Sequence, residues 1–250
     1  MIDPYGIIQL RIWLNFAGIL LGWFAFYFLI GALKNIEDFT KKKTGWKLIY
    51  LSLPFLLILP IAEIHSYYVL GQSLGEVDRI VSGTLFVFSS LLLFAAVYGF
   101  KKHLGFKMLL RTPMALALFL FFVSALTMAS RVPEPNAFIY SVLSLTAFYF
   151  FALSLWVIGS YTKEFNTVFP VSDFFLTASI LLLIGQLVHG FAVANKFVAP
   201  QAFLSLDFTS VIFFFLGLLI AAISTYVFKK TVIEFSFNSA HAAKIRRIKL

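Results

Sequence analysis

The stretch Phe208–Phe228, FTSVIFFFLGLLIAAISTYVF, runs for 21 residues without a charged side chain and ends against Lys229 and Lys230. A helix of that length is about 30 Å long, which matches the hydrocarbon core of a bilayer. The run is continuously apolar rather than alternating, so it does not read as a strand of a membrane β-barrel. A backbone placed in lipid must satisfy its own hydrogen bonds, and a helix does so within the segment. Six further segments read the same way: Gly6–Leu33, Trp46–Leu70, Ile80–Phe100, Leu109–Ser130, Ala137–Tyr161 and Phe174–Asn195. The expectation is an all-α integral membrane protein, a seven-transmembrane-helix bundle over residues 1–230 followed by a basic cytoplasmic tail at 231–250.

Composition agrees with this reading. Apolar residues make up 61% of the 250 and charged residues 12%, whereas soluble domains hold about half and about a quarter. The spans consume nearly the whole length, leaving no room for a soluble domain of ordinary size. With no cysteine in the chain, disulfides, iron–sulfur clusters, thiolate zinc sites and covalent CxxCH haem attachment are excluded. The N-terminal MIDPYG has neither a basic n-region nor a small-residue cleavage site, so the first apolar segment is expected to be kept as a span.

The net charge of +9 reports topology. Lys34, Lys41, Lys42, Lys43 and Lys47 lie between spans one and two. Lys101, Lys102, Lys107 and Arg111 lie between three and four, and Lys163 follows span five. The tail carries Lys229, Lys230, Lys244, Arg246, Arg247 and Lys249, while the opposite face has only Arg11, Arg79, Arg131 and Lys196. The positive-inside rule therefore puts the N-terminus outside and the C-terminus in the cytoplasm of a cell membrane. Nothing in this distribution calls for nucleic acid; the basic KIRRIKL at 244–250 reads as a topology and anionic-lipid signal.

Spans one, three, five and seven each end in lysine, as GALK at 31–34, GFKK at 99–102, GSYTK at 159–163 and VFKK at 227–230. Spans two-three and six-seven agree further: each has a histidine near its outer end, then an acidic loop, then a Phe-rich descent to a Lys-Lys pair. A repeated two-helix unit is one reading, and a plain series of hairpins with basic inner loops is the other.

Two stretches carry the chemistry. Leu57–Gly71, LILPIAEIHSYYVLG, places Glu63 and His65 inside an apolar segment kinked by Pro54 and Pro60. Ile184–Asn195, IGQLVHGFAVAN, places Gln186 and His189 in another. Ionisable groups at such depth are costly and mark function. His65 lies 18 residues beyond Lys47 and His189 lies 16 beyond Asp173, so both rise about 24–27 Å above the cytoplasmic boundary. Two imidazoles at one depth on two helices suit axial ligation of a b-type haem. Gly185, Gly190, Ala62 and Ser66 would give room for the macrocycle, or else mediate helix packing. Arg131, Arg79 and Lys196 stand where propionates would need cations, and Met128 is a further candidate ligand at similar height. At the level of the fold only, the arrangement is similar to bis-histidine membrane cytochromes b.

Two other accounts stay open. Glu63 and His65 could line a proton- or ion-coupled path, or each histidine could bond a neighbouring helix, with Glu63 or Gln186 as partner, in a purely structural subunit. A zinc or copper site wants three or four clustered ligands, and His103 and His241 belong to the other side. No Walker loop, GxGxxG or HExxH occurs. The leading expectation is a membrane electron-transfer subunit of a larger complex, holding haem b between His65 and His189. It would exchange electrons with an external redox protein, quinone or a neighbouring subunit.

Overall fold

The computed structural model describes residues 4–41, 45–50, 76–104, 111–132, 134–162, 171–196 and 198–248. Among them are six long helices: α1 Pro4–Thr40, α2 Glu76–Leu104, α3 Arg111–Ala129, α4 Pro135–Thr162, α5 Val171–Asn195 and α6 Pro200–Ile248. No described residue forms a strand. Four helices contain stretches long and apolar enough to cross a membrane: Gln9–Phe39, Phe138–Ser160, Val171–Asn195 and Gln201–Glu234. The apolar stretches of α2 and α3, Gly83–Gly99 and Leu118–Ala129, are shorter. Of the expected second span, residues 46–50 are helical and the rest lies outside the described residues. The expected tail at 231–250 continues α6 as helix through Ile248.

Local sequence sets several helix ends. α1, α4 and α6 each begin at proline, whose fixed φ suits the first helical turn and whose missing N–H costs nothing there. α1 closes with Lys41 at φ 57°, its N–H donating to the Glu37 carbonyl at 2.8 Å, a left-handed C-terminal cap. Gly45, at φ 73°, opens the following turn. A Cβ there would come within 3.0 Å of Ala96 Cβ on α2, so glycine is required both by conformation and by contact.

The packing fixes helix directions. α6 packs most extensively on α5 and α1, α5 also on α4, and α4 on α2. α1 and α6 run parallel in steady register: Arg11 meets Asp207, Gly22 meets Leu218 and Phe28 meets Tyr226. α5 and α6 run antiparallel, with Gly217 against Leu182 and Phe175 against Phe228. Ser124 on α3 packs on Gly190, and Ser179 Oγ of α5 donates to the Ala152 carbonyl of α4 at 2.8 Å. α1, α2, α4 and α6 therefore start at one end of the bundle and α3 and α5 at the other, an alternation that the seven-segment count fits. The largest core cluster, including Leu29, Leu33, Ile158, Phe175 and Phe228, lies toward the far end. There Lys229 sits over Tyr27 and Phe28, and Lys34 and Lys47 flank Trp46.

Large apolar side chains remain exposed along these helices, among them Trp13, Phe24, Phe119, Phe122 and Ile223. On a protein in water such surface would be a liability. Around helices of this length it is the surface that meets lipid acyl chains.

Candidate functional site: an ion triad at the end of an apolar cavity

Arg11 and Asp207 each lie seven residues after the proline that begins their helix, α1 or α6. Because those helices are parallel, the two residues reach the same level. The short connection from α5 to α6 folds His189 back to that level as well. Arg11 Nε lies 2.7 Å from Asp207 Oδ2, and His189 Nδ1 lies 3.5 Å from Asp207 Oδ1. Asp207 is the most enclosed of the three, its side chain 2% exposed against 40% for Arg11 and 24% for His189.

A buried carboxylate is tolerated where charge and hydrogen bonds compensate it. Arg11 supplies the charge. Its Nε–H is not aimed along the short contact, so Asp207 Oδ2 has an ionic neighbour but no hydrogen-bond donor. On the other side, Asp207 Oδ1 favours a proton on the facing His189 Nδ1. The Asp207 carbonyl takes the Ser210 hydroxyl at 2.7 Å, which ties the adjacent turn.

The triad closes one end of a cavity of about 260 Å³. Asn15, Tyr140 and Ser144 stand near the same polar end. Beyond it the walls are apolar: Leu14, Ile19, Trp23 and Phe26 from α1, Phe148 and Phe151 from α4, and Phe214, Phe215 and Leu218 from α6. Phe148 stacks on Phe214 with centroids 4.6 Å apart and planes at 19°, and His189 meets the same Phe214 edge-on at 6.4 Å. Gly18 and Gly22 keep the α1 wall low; a Cβ at either would meet only Leu218 methyls, at 3.4 and 3.7 Å. From Arg11 to Phe26 the lining follows α1 for about 22 Å. No protein-family model, curated protein or solved structure matches the chain.

The other expected site residues divide. His65 and Glu63 lie outside the described residues, as do Ala62 and Ser66. Arg79 is in the first turn of α2. Arg131 follows α3 and donates from Nη1 to Asn195 Oδ1 at 3.1 Å, next to the exposed Lys196. Met128 is buried in a small cluster with Val132 and Leu145. Gly185 and Gly190 serve helix packing: a Cβ at Gly185 would meet Phe213 and Phe214 at 3.1 Å, and one at Gly190 would meet Ser124 Cβ at 2.9 Å. The partner of His189 is Asp207, not Gln186, whose buried Oε1 has no hydrogen-bond partner. Asp207 itself is an interior residue of α6 rather than part of an acidic loop.

Sequence reasoning missed Arg11 and Asp207. Both were visible as charges flanking long apolar runs, and the depth argument applied to the histidines applies equally to them. The absent cue was helix direction, which brings three distant positions to one level. Among the described residues no group of three or more His, Cys, Asp or Glu side chains is placed to hold a metal ion.

Proposed function

We propose that the protein is a multi-pass membrane protein whose task is to bind a lipid-soluble amphiphile within the bilayer. The ligand's polar head would sit at Arg11, Asp207 and His189 and its chain along the aromatic walls between α1, α4 and α6. The carrying observation is the almost fully buried Asp207, flanked by Arg11 and His189, at the polar end of an otherwise apolar cavity. Intramembrane charges mark ligand or ion paths more often than they stabilise a bundle, and a largely apolar pocket with a few convergent polar groups is the usual form of a small-molecule site. By the positive-inside rule this end faces outward, so the ligand would be taken from the outer leaflet in the cell membrane.

The test is retention. The full chain, purified gently from its native membrane, should carry a stoichiometric amphiphile detectable by mass spectrometry after extraction. Gly22→Leu should lose it, because the added side chain fills the cavity from a wall that leaves space for a Cβ. Equal retention by wild type and variant would refute the reading.

A second reading has one specific support. A carboxylate on Nδ1 is the usual orienting partner of a metal-ligating histidine, and Asp207 occupies that place on His189. Haem b between His65 and His189 would make the chain an electron-transfer subunit of a larger complex, with Arg131, Arg79 or Lys196 toward the propionates. The closed packing of Gly185 on α6 and of Gly190 on α3 leaves less room than such a macrocycle needs beside α5. A reduced-minus-oxidised optical spectrum decides: sharp α and β bands lost in both His65→Ala and His189→Ala would favour haem over the amphiphile, and a colourless, iron-free protein would end it.

A further inference from the structure

At the end of the bundle away from the ion triad, the chain turns back from α1 through Gly45, and three side chains meet beside that turn. Lys34 Nζ and Lys47 Nζ each lie 5.9 Å from the centroid of the Trp46 ring. Trp46 is half-buried against the main core cluster and nearby Ile49 is fully buried in it, so the indole is a fixed platform. Both lysines are exposed, and they reach the platform from separate helical segments, α1 and residues 46–50.

Helix packing does not account for this gathering of charge. A cation–π contact at an exposed position contributes little, and a second ammonium at the same ring adds like-charge repulsion, the two being within about 12 Å of each other. Neither lysine forms an ion pair with a described carboxylate, although Asp38 lies one turn beyond Lys34 on α1. Lys229, at the same end, is by contrast committed to packing. Its stem lies on Gly31, with Cε 3.0 Å from where a Cβ would stand, and its Nζ is 5.0 Å from the Tyr27 centroid and 5.5 Å from that of Phe28.

What Lys34 and Lys47 lack is an anion. By the positive-inside rule this end faces the cytoplasm, and tryptophan and lysine at a span end stand at the level of the lipid headgroups. A phosphate between two ammonium groups accepts a charge-assisted hydrogen bond from each and removes their repulsion. On the bilayer side of the pair, Leu48 and Tyr50 are 41% and 61% exposed, so acyl chains find apolar surface directly beside the head. A soluble phosphate would make no use of that surface. A zwitterionic head would bring its own ammonium toward two that already repel each other, which an anionic head does not.

We propose that Lys34, Trp46 and Lys47 form a binding site for one anionic phospholipid of the inner leaflet. Its phosphate lies between the two ammonium groups, and its glycerol and chains lie beside the indole and Leu48. The site is local and holds one lipid, which separates it from the diffuse attraction that a basic tail exerts on an anionic surface.

Full-length protein in micelles holding equimolar phosphatidylglycerol and phosphatidylcholine is examined by native mass spectrometry, which counts each lipid retained. The first lipid on the wild type should be phosphatidylglycerol over phosphatidylcholine by about tenfold, the order that two lysines near an anionic surface supply. The preference should fall to near unity in Lys34→Gln/Lys47→Gln and return in Lys34→Arg/Lys47→Arg. It should persist when Lys244, Arg246, Arg247 and Lys249 are all changed to glutamine. Equal retention of the two lipids by the wild type, a preference that survives Lys34→Gln/Lys47→Gln, or one lost with the tail substitutions alone overturns the site. Displacement of phosphatidylglycerol by millimolar inorganic phosphate would show that a soluble anion suffices, and overturns the lipid assignment.

Discussion

Replacing Arg11 with glutamine takes away the positive charge 2.7 Å from Asp207 Oδ2 and leaves a carboxylate that is 2% exposed with only His189 beside it. Breaking a buried ion pair from one side costs about 3–5 kcal/mol, because the remaining charge stays desolvated. Arg11 is itself 40% exposed, so water already screens part of the attraction and the cost falls below that range, to about 2–3 kcal/mol. At about 2–4 °C per kcal/mol for a chain of this size, the midpoint of thermal unfolding should fall by about 4–12 °C. The informative measurement is a double-mutant cycle with Asp207→Asn, followed by intrinsic fluorescence during heating in one detergent. In the Asp207→Asn background no stranded carboxylate exists, so Arg11→Gln should cost under about 1 kcal/mol there. If Arg11→Gln lowers the midpoint equally in both backgrounds, Asp207 is not what Arg11 holds, and the triad loses its meaning as a unit.

Gly22→Leu, offered above as a cavity block, should leave the fold intact and raise the unfolding midpoint slightly, since glycine within a helix costs about 1 kcal/mol relative to a good helix former; a clear drop would mean that the wall is already occupied. Gly190→Leu should do the opposite, because a Cβ there already falls 2.9 Å from Ser124 Cβ; forcing α3 from α5 should cost about 1–3 kcal/mol, seen as a lower midpoint and faster proteolysis between the two helices. Asn195→Ala removes the exposed hydrogen bond from Arg131 and the local one that Asn195 Nδ2 donates to the Phe191 carbonyl and should shift stability by about 1–2 kcal/mol, so a larger loss would point to a further task for that residue. Orientation is checked on this cysteine-free chain with Lys43→Cys, which an impermeant maleimide should label only after the cells are opened.

Apolar length and charge made the helices legible because lipid imposes so few solutions. A run such as Val211–Phe228 has only one way to satisfy its backbone in hydrocarbon, and lysines at 34, 101, 163 and 229 mark where four of the apolar runs end. Helix neighbours were not legible in the same way. The pairing of α1 with α6 joins the first and last helices and depends on contacts between positions far apart in the chain, such as Arg11 with Asp207 and Phe28 with Tyr226. No hydropathy pattern encodes such a choice, because every lipid-facing stripe is as apolar as every buried one; α5, for instance, buries Leu182 while exposing Phe174 and Ile180.

The same asymmetry explains why His189 was found from sequence and its partners were not. A histidine in the body of an apolar run is conspicuous in isolation, whereas Arg11 and Asp207 sit two turns inside helix ends, where charges ordinarily snorkel to the surface and signify nothing. What distinguishes Asp207 is burial, a property of the assembled bundle: α1 arrives parallel to α6, α5 returns antiparallel beside it, and the carboxylate is shut between them. Arg11 can still reach outward and does so, with two-fifths of its side chain exposed. The pair is therefore wet at one end and dry at the other. A charge pair held across that boundary and opening onto aromatic walls is a poor device for stability, since an apolar replacement of equal shape would serve a bundle at least as well. The amphiphile proposed above would give such a pair, at the polar end of a cavity, a task that helix packing does not.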